Sequence, residues 1–148
     1  MGVFMRILHI LDHSLPLHSG YTFRTRAILK AQAARGWSVA GVTGPRYNGE
    51  APDPETVDDL TFFRTAKPRP APSPLSDWRE VRALAARLDA AIGDWKPDIL
   101  HAHSPALNGL AALGVARRRG LPLIYEIRAF WEDAAVGNGT GREGSVRY

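Results

Sequence analysis

The chain has 148 residues, 45% of them hydrophobic and 23% charged, with no cysteine and a formal net charge of +4. That length allows one compact domain with a proper core, and the missing thiols exclude disulfides and thiolate metal sites. The mild cationic excess suits anionic partners such as phosphates and nucleotides, and says nothing about fold.

Met5–Leu11 is a short, nearly continuous apolar run, which suits a strand covered on both faces of a parallel sheet. Met1–Phe4 reads as a leader before it. The interruption at Arg6 and the polar Asp12 and His13 do not fit a signal peptide. Asp12 to Gly20 is a loop of turn residues. Tyr21 to Arg35 has helix formers, with Phe23, Ala27, Ile28, Ala31 and Ala34 roughly on one face. Gly36 suits the residue after its C-cap. Trp37 to Thr43 is a second strand, broken by Gly44-Pro45.

Arg46 to Asp59, rich in Pro, Asp, Glu and Gly, reads as an exposed loop. Leu60 to Thr65 is a more polar third strand, suited to a sheet edge. Ala66 to Ser76 holds Pro68, Pro70, Pro72 and Pro74, so it is a stiff extended connection. Ser76 is a candidate N-cap for a helix reaching about Asp94, with Val81, Leu84, Ala85, Leu88, Ala91 and Ile92 as its apolar stripe. Asp98 to His103 is a buried fourth strand that ends in polar side chains. Leu107 to Arg119 is a helix of small residues capped by Gly120, too short and glycine-interrupted to span a bilayer. Leu121 to Ile127 is a further buried strand.

Alternating strands and helices of this size imply α/β architecture. The expectation is a Rossmann-like three-layer sandwich with a parallel sheet of five strands, in the order 3-2-1-4-5. In such a sheet the ends of strands 1 and 4 flank the switch point where ligands bind. Asp12, His13 and the Ser19-Gly20 turn then meet His101, His103 and Ser104, with Glu126, Arg128 and Glu132 alongside. The turn opens a helix, so its N–H groups suit a phosphate or a sugar hydroxyl. On its own, His101-x-His103 reads equally as a strand-end pair satisfied by the backbone. His9 reads as a core histidine with a hydrogen-bond partner. Neither G-x-G-x-x-G nor the Walker pattern occurs, against a simple NAD enzyme or phosphate-loop NTPase. No complete metal-ligand set is evident. The arginines of the first and last helices read as a solvated face, and no nucleic acid is expected.

Met5-Arg6-Ile7-Leu8-His9-Ile10-Leu11-Asp12-His13-Ser14-Leu15-Pro16, Ser19-Gly20 and Pro97 through Pro105 resemble the N-terminal half of a family 4 glycosyltransferase of the GT-B type. Tyr125 to Asp133 and Arg142 to Tyr148 are similar to bacterial members associated with exopolysaccharide and exosortase gene clusters. The resemblance implies two Rossmann-like domains around a cleft, the first receiving the acceptor and the second a UDP- or GDP-sugar donor. It implies retention of configuration and neither cofactor nor metal. By it His103 stands near the reacting sugar and Gly20 near the donor phosphates, where the family often has two glycines. Arg128 and Glu132 then stand toward the acceptor. Residues 1–148 are expected to be part of the N-terminal domain, without a donor-binding domain and inactive alone. A cytoplasmic location is expected. Contact with the inner face of a membrane and homo-oligomer formation stay open, as do two other readings: a sugar-nucleotide epimerase of the same architecture, and a non-catalytic binding or assembly module.

Overall fold

The structure is a computed structural model, and it describes residues 4–47, 52–128 and Gly139. Its elements in chain order are β1 (Arg6–Leu11), α1 (Gly20–Ala34), β2 (Ser38–Thr43), β3 (Glu55–Val57), β4 (Leu60–Arg64), α2 (Leu75–Trp95), β5 (Ile99–His103), α3 (Ala106–Arg119) and β6 (Leu123–Glu126). They build one six-stranded sheet in the order β3-β4-β2-β1-β5-β6. The five strands expected from sequence take their expected order, all parallel. The direction of winding reverses between β1 and β5, which opens a crevice beyond their carboxyl ends.

Alternation of side chains along each strand gives the sheet two faces. Leu8, Ile10, Val42, Leu100 and Ala102 pack with Leu84, Leu88, Ala112 and Val115 of α2 and α3. On the opposite face Leu11 and Phe62 pack with Leu29 of α1. Burying side chains of this size contributes about 1.5–3 kcal/mol each, so the α2–α3 face carries most of the apolar stabilisation. The stripe expected on α2 is the one that is buried, with Val81 and Ala85 at its margin. Gly36 and Gly120 take the left-handed conformation that ends α1 and α3, with φ of 84° and 65°.

Four expectations need correction. The segment read as a loop from Arg46 contains β3, which pairs antiparallel with β4 and displaces it from the edge. The hairpin closes through Asp58 and Asp59, both at positive φ (54° and 61°), as a two-residue primed turn requires. Asp53 and Glu55 then meet the backbone N–H and the guanidinium of Arg64. Second, β6 is not buried: Ile124 is 50% and Tyr125 40% exposed, because no strand pairs with its outer side among the described residues. Third, α1 does not bury the face of Phe23, which is 51% exposed; it buries Thr22, Thr25 and Leu29. Its inner face is polar because it lies over polar strand ends. Fourth, α2 starts at Leu75 after Pro74, with no side-chain cap, so Ser76 is inside the helix. Among the described residues no helix is long and apolar enough to cross a membrane.

Candidate active site

The carboxyl ends of β1, β5 and β6 meet the first turn of α1. Ser19 caps that helix, its Oγ accepting the Thr22 N–H at 3.0 Å. His13, on the exit from β1, lies between Asp12 Oδ2 at 3.0 Å and Ser19 Oγ at 2.8 Å. Asp12, His13 and Ser19 thus form one hydrogen-bonded chain at the amino end of α1. Gly20 follows, where an added Cβ would meet none of the described residues within 4 Å. The N-terminal N–H groups and partial positive charge of a helix favour an anion at such a place.

Tyr21 ties this turn to β5. Its hydroxyl donates to the Ser104 carbonyl at 3.0 Å and accepts the Asp12 N–H at 3.2 Å. Burial pushes the phenol up to about 12, so it stays a donor across physiological pH. Ser104 in turn receives the Arg128 N–H on its Oγ at 2.7 Å. The Arg128 guanidinium lies 4.2 Å over the Tyr21 ring and donates to Thr25 Oγ1 at 2.7 Å. Asp12, His13, Ser19, Gly20, Ser104 and Arg128 therefore share one neighbourhood. Glu132 lies outside the described residues.

His103 precedes Ser104 at the end of β5 and is completely buried. Its register partner on β6 is Glu126, and His9 of β1 pairs with His101 of β5, so the three histidines share one face of the sheet. His103 Nε2 is 2.9 Å from His9 Nδ1, whose Nε2 is 2.8 Å from Gln32 Oε1 of α1. His9 is thus the core histidine that its place in the strand indicates, and its partner is the strand-end histidine. Burial, then the neighbouring His101, depress His9 to about 3; burial, then His101 and His9, depress His103 to about 2. Both are neutral at pH 7. Burial also lowers His101, against the opposing pull of Glu126.

His9, His101 and His103 each offer a ring nitrogen, and these lie within 4.8 Å of one another. The rings of His101 and His103 stack at 4.2 Å and 20°, so their in-plane lone pairs run side by side instead of converging. A shared cation would require the rings to turn and the hydrogen bonds to break. Sequence reasoning passed over Gln32 and Tyr21, because nothing in a lone sequence shows which face of α1 turns inward.

A glycosyl transferase 4-like domain model matches residues 19–147. The chain belongs to this family. Its fold is shared with glycosyltransferase structures of low identity. Sucrose-phosphate synthase from Thermosynechococcus elongatus matches at a TM-score of 0.67 and 15% identity, over 97% of this chain and 37% of that one. The calicheamicin glycosyltransferase CalG4 matches at 0.58 and 15%, over 97% and 39%. The C-terminal domain of the PF1911 hydrogenase from Pyrococcus furiosus matches at 0.57 and 15%, over 83% and 91%. The likeness to a hydrogenase domain means that the fold alone does not select the activity. A search of curated proteins finds no match. The chain spans about two fifths of the length of the glycosyltransferases it resembles. It is an N-terminal, Rossmann-like domain of the GT-B type.

A groove borders the same strand ends. A narrow pocket lined by Asp12, Gly44 and Pro105 shares Pro45, Arg46 and Glu80 with a wider cavity of about 390 Å³ under the proline-rich segment. Lys67 and Arg69 also line the wider cavity.

Proposed function

We propose that this glycosyltransferase 4-like domain is the acceptor-side half of an enzyme that transfers a hexose from a UDP- or GDP-sugar. The acceptor is a glycan or a lipid-linked saccharide of the kind built into exopolysaccharide. The observation that carries this reading is the convergence of Ser19, Gly20, His103, Ser104 and Arg128 at one switch point, tied together by Tyr21. The amino end of α1 receives donor phosphate charge through backbone N–H groups. His103, at the end of β5, hydrogen-bonds the reacting sugar and orients it. The groove from Pro105 to the proline-rich segment, with Arg46, Lys67 and Arg69 along it, accommodates the acceptor. Its cations suit a phosphate-bearing one, at the inner face of a membrane.

In this reading transfer proceeds with retention and without a metal, because charge on the leaving group is met by backbone dipoles and arginines. The donor-binding domain supplies the opposite wall, so the 148-residue chain alone transfers no sugar. The test is a product assay on the parent protein with UDP- and GDP-hexoses, an acceptor panel and excess chelator. Release of nucleoside diphosphate coupled to a new glycosidic bond, with the anomeric configuration read by proton NMR, supports the reading. An isomerised sugar nucleotide without any acceptor would make it an epimerase. His103→Ala in the parent should cut kcat by orders of magnitude while leaving the fold intact; an unchanged rate removes His103 from the mechanism.

A further inference from the structure

We propose that Gln32 and His9 are positioning residues that hold His103 as one neutral tautomer, its proton on Nε2 and its Nδ1 bare to accept a hydrogen bond from a substrate hydroxyl. The assignment follows from the orientation of the Gln32 amide together with donor and acceptor chemistry. The Gln32 amide presents its oxygen, an obligate acceptor, 2.8 Å from His9 Nε2, so that nitrogen carries a hydrogen. A neutral His9 then has a bare Nδ1. That nitrogen faces His103 Nε2 at 2.9 Å, and only an N–H on His103 can complete the contact. A neutral His103 with its proton on Nε2 has a lone pair on Nδ1.

The structure places that Nδ1 in the interior with no hydrogen-bond partner among the described residues. Glu126 does not supply one. Its Oε2 lies 3.1 Å from His101 Nε2 and its Oε1 receives Arg24 at 2.8 Å, while His103 Nδ1 stands 3.6 Å away. A carboxylate already engaged on both oxygens has no proton to offer the nitrogen. Buried polar atoms are normally paired, and an unpaired one calls for an explanation. A bare imidazole nitrogen at the switch point accepts a hydrogen bond from a hydroxyl; the same nitrogen with a proton on it could only donate one. Beyond this nitrogen lie Glu126 and Arg24, and the Arg24 side chain is 58% exposed. A hydroxyl would reach Nδ1 by displacing the Glu126 side chain, which is 24% exposed and bonded to His101. Neutrality has its own cause in burial, which depresses both His9 and His103 far below pH 7. The ring is therefore a hydrogen-bonding group in this arrangement and not a proton carrier. Only the identity of the hydroxyl, a sugar's, rests on the function proposed above.

The test reads protons and not turnover. Long-range nitrogen–proton correlation spectra of the chain labelled with ¹⁵N-histidine distinguish protonated from bare ring nitrogens. The expected wild-type spectrum at pH 7 has His103 protonated on Nε2 and bare on Nδ1. Gln32→Glu, which keeps an acceptor opposite His9, should preserve that pattern. Gln32→Lys places a donor there and should reverse the proton positions on both His9 and His103. Gln32→Leu, which offers neither, should leave His103 a mixture of tautomers, and it serves where the lysine perturbs folding. A wild-type His103 protonated on Nδ1 would mean that Glu126 sets the tautomer, and would overturn the proposal. So would a His103 pattern identical in wild type, Gln32→Lys and Gln32→Leu. A residue that merely packed would leave the proton where it was. Because sugar transfer is not the readout, a protein that transfers no sugar can still pass this test, and one that transfers sugar can still fail it.

Discussion

The Tyr21 hydroxyl donates to the Ser104 carbonyl at 3.0 Å, joining the first turn of α1 to the end of β5 across 83 residues of chain. The same oxygen accepts the Asp12 N–H at 3.2 Å, so one phenol holds three stretches of the site together. Tyr21→Phe keeps the ring under Arg128 and removes both contacts. The expected loss is about 1–3 kcal/mol, the cost of leaving buried partners unpaired. Urea unfolding of the two proteins measures it. A change below about 0.5 kcal/mol would mean that solvent replaces the phenol without loss.

The stability of the domain should fall with acid well before its carboxylates are protonated. His9 and His103 have folded values of about 3 and 2, against 6.5 for the free side chain. Between those values and 6.5 the unfolded chain binds protons that the folded chain refuses, so stability rises with pH through that window. Each histidine contributes a slope of up to about 1.4 kcal/mol per pH unit below pH 6.5, and the slope vanishes above it. Denaturant midpoints measured from pH 8 to pH 5 check the sign. A flat profile below 6.5 would place both rings in contact with water.

Arg64 is 7% exposed, and its guanidinium reaches Ser14 Oγ, the Leu15 carbonyl and the Glu55 carboxylate while lying 3.9 Å over Tyr47. It thereby anchors the loop after β1 to the β3–β4 hairpin. Arg64→Met leaves Glu55 without its guanidinium and should cost about 3–5 kcal/mol. Arg64→Lys should recover only part, since an ammonium cannot reproduce the planar fork. Thermal unfolding ranks the three proteins.

Two glycines should respond with opposite signs to alanine. At Gly41 an added Cβ would lie 2.8 Å from the buried Phe62 ring and 3.1 Å from Leu11, so Gly41→Ala should destabilise by about 1–3 kcal/mol. At Gly93, inside α2, a Cβ meets nothing within 4 Å, and Gly93→Ala should stabilise by about 0.5–1 kcal/mol. Melting temperatures that move in the same direction for both would refute the packing argument at Gly41.

The sheet order was legible because each parallel strand needs a crossover, and the apolar runs and helix periods mark those crossovers plainly. The β3 hairpin was not. Its turn is Asp58-Asp59 in place of the glycine-containing pairs that advertise a primed turn, and its hold on β4 depends on Arg64 meeting Asp53 and Glu55. The inner face of α1 was misjudged for a related reason. Hydrophobic periodicity points to Phe23 and Ala27, whereas the strand ends beneath the helix demand hydrogen-bonding residues such as Thr25 and Gln32. The position of His103 at a strand end could be read directly. Its contact with His9, 94 residues away, follows from the register of β1 on β5 and could not.

The polar seat of α1 has a mechanical consequence. Apolar contacts are non-directional, so a helix resting on them can roll or slide by a fraction of a turn at little cost. The contacts of Tyr21, Thr25 and Gln32 have preferred angles as well as distances. They index the rod in rotation and along its axis, like a key in a slot. The aim of the Ser19–Gly20 end then depends on how α1 is keyed more than on how tightly it is packed. Replacing these residues with apolar ones would give a firmer domain with a less accurate muzzle.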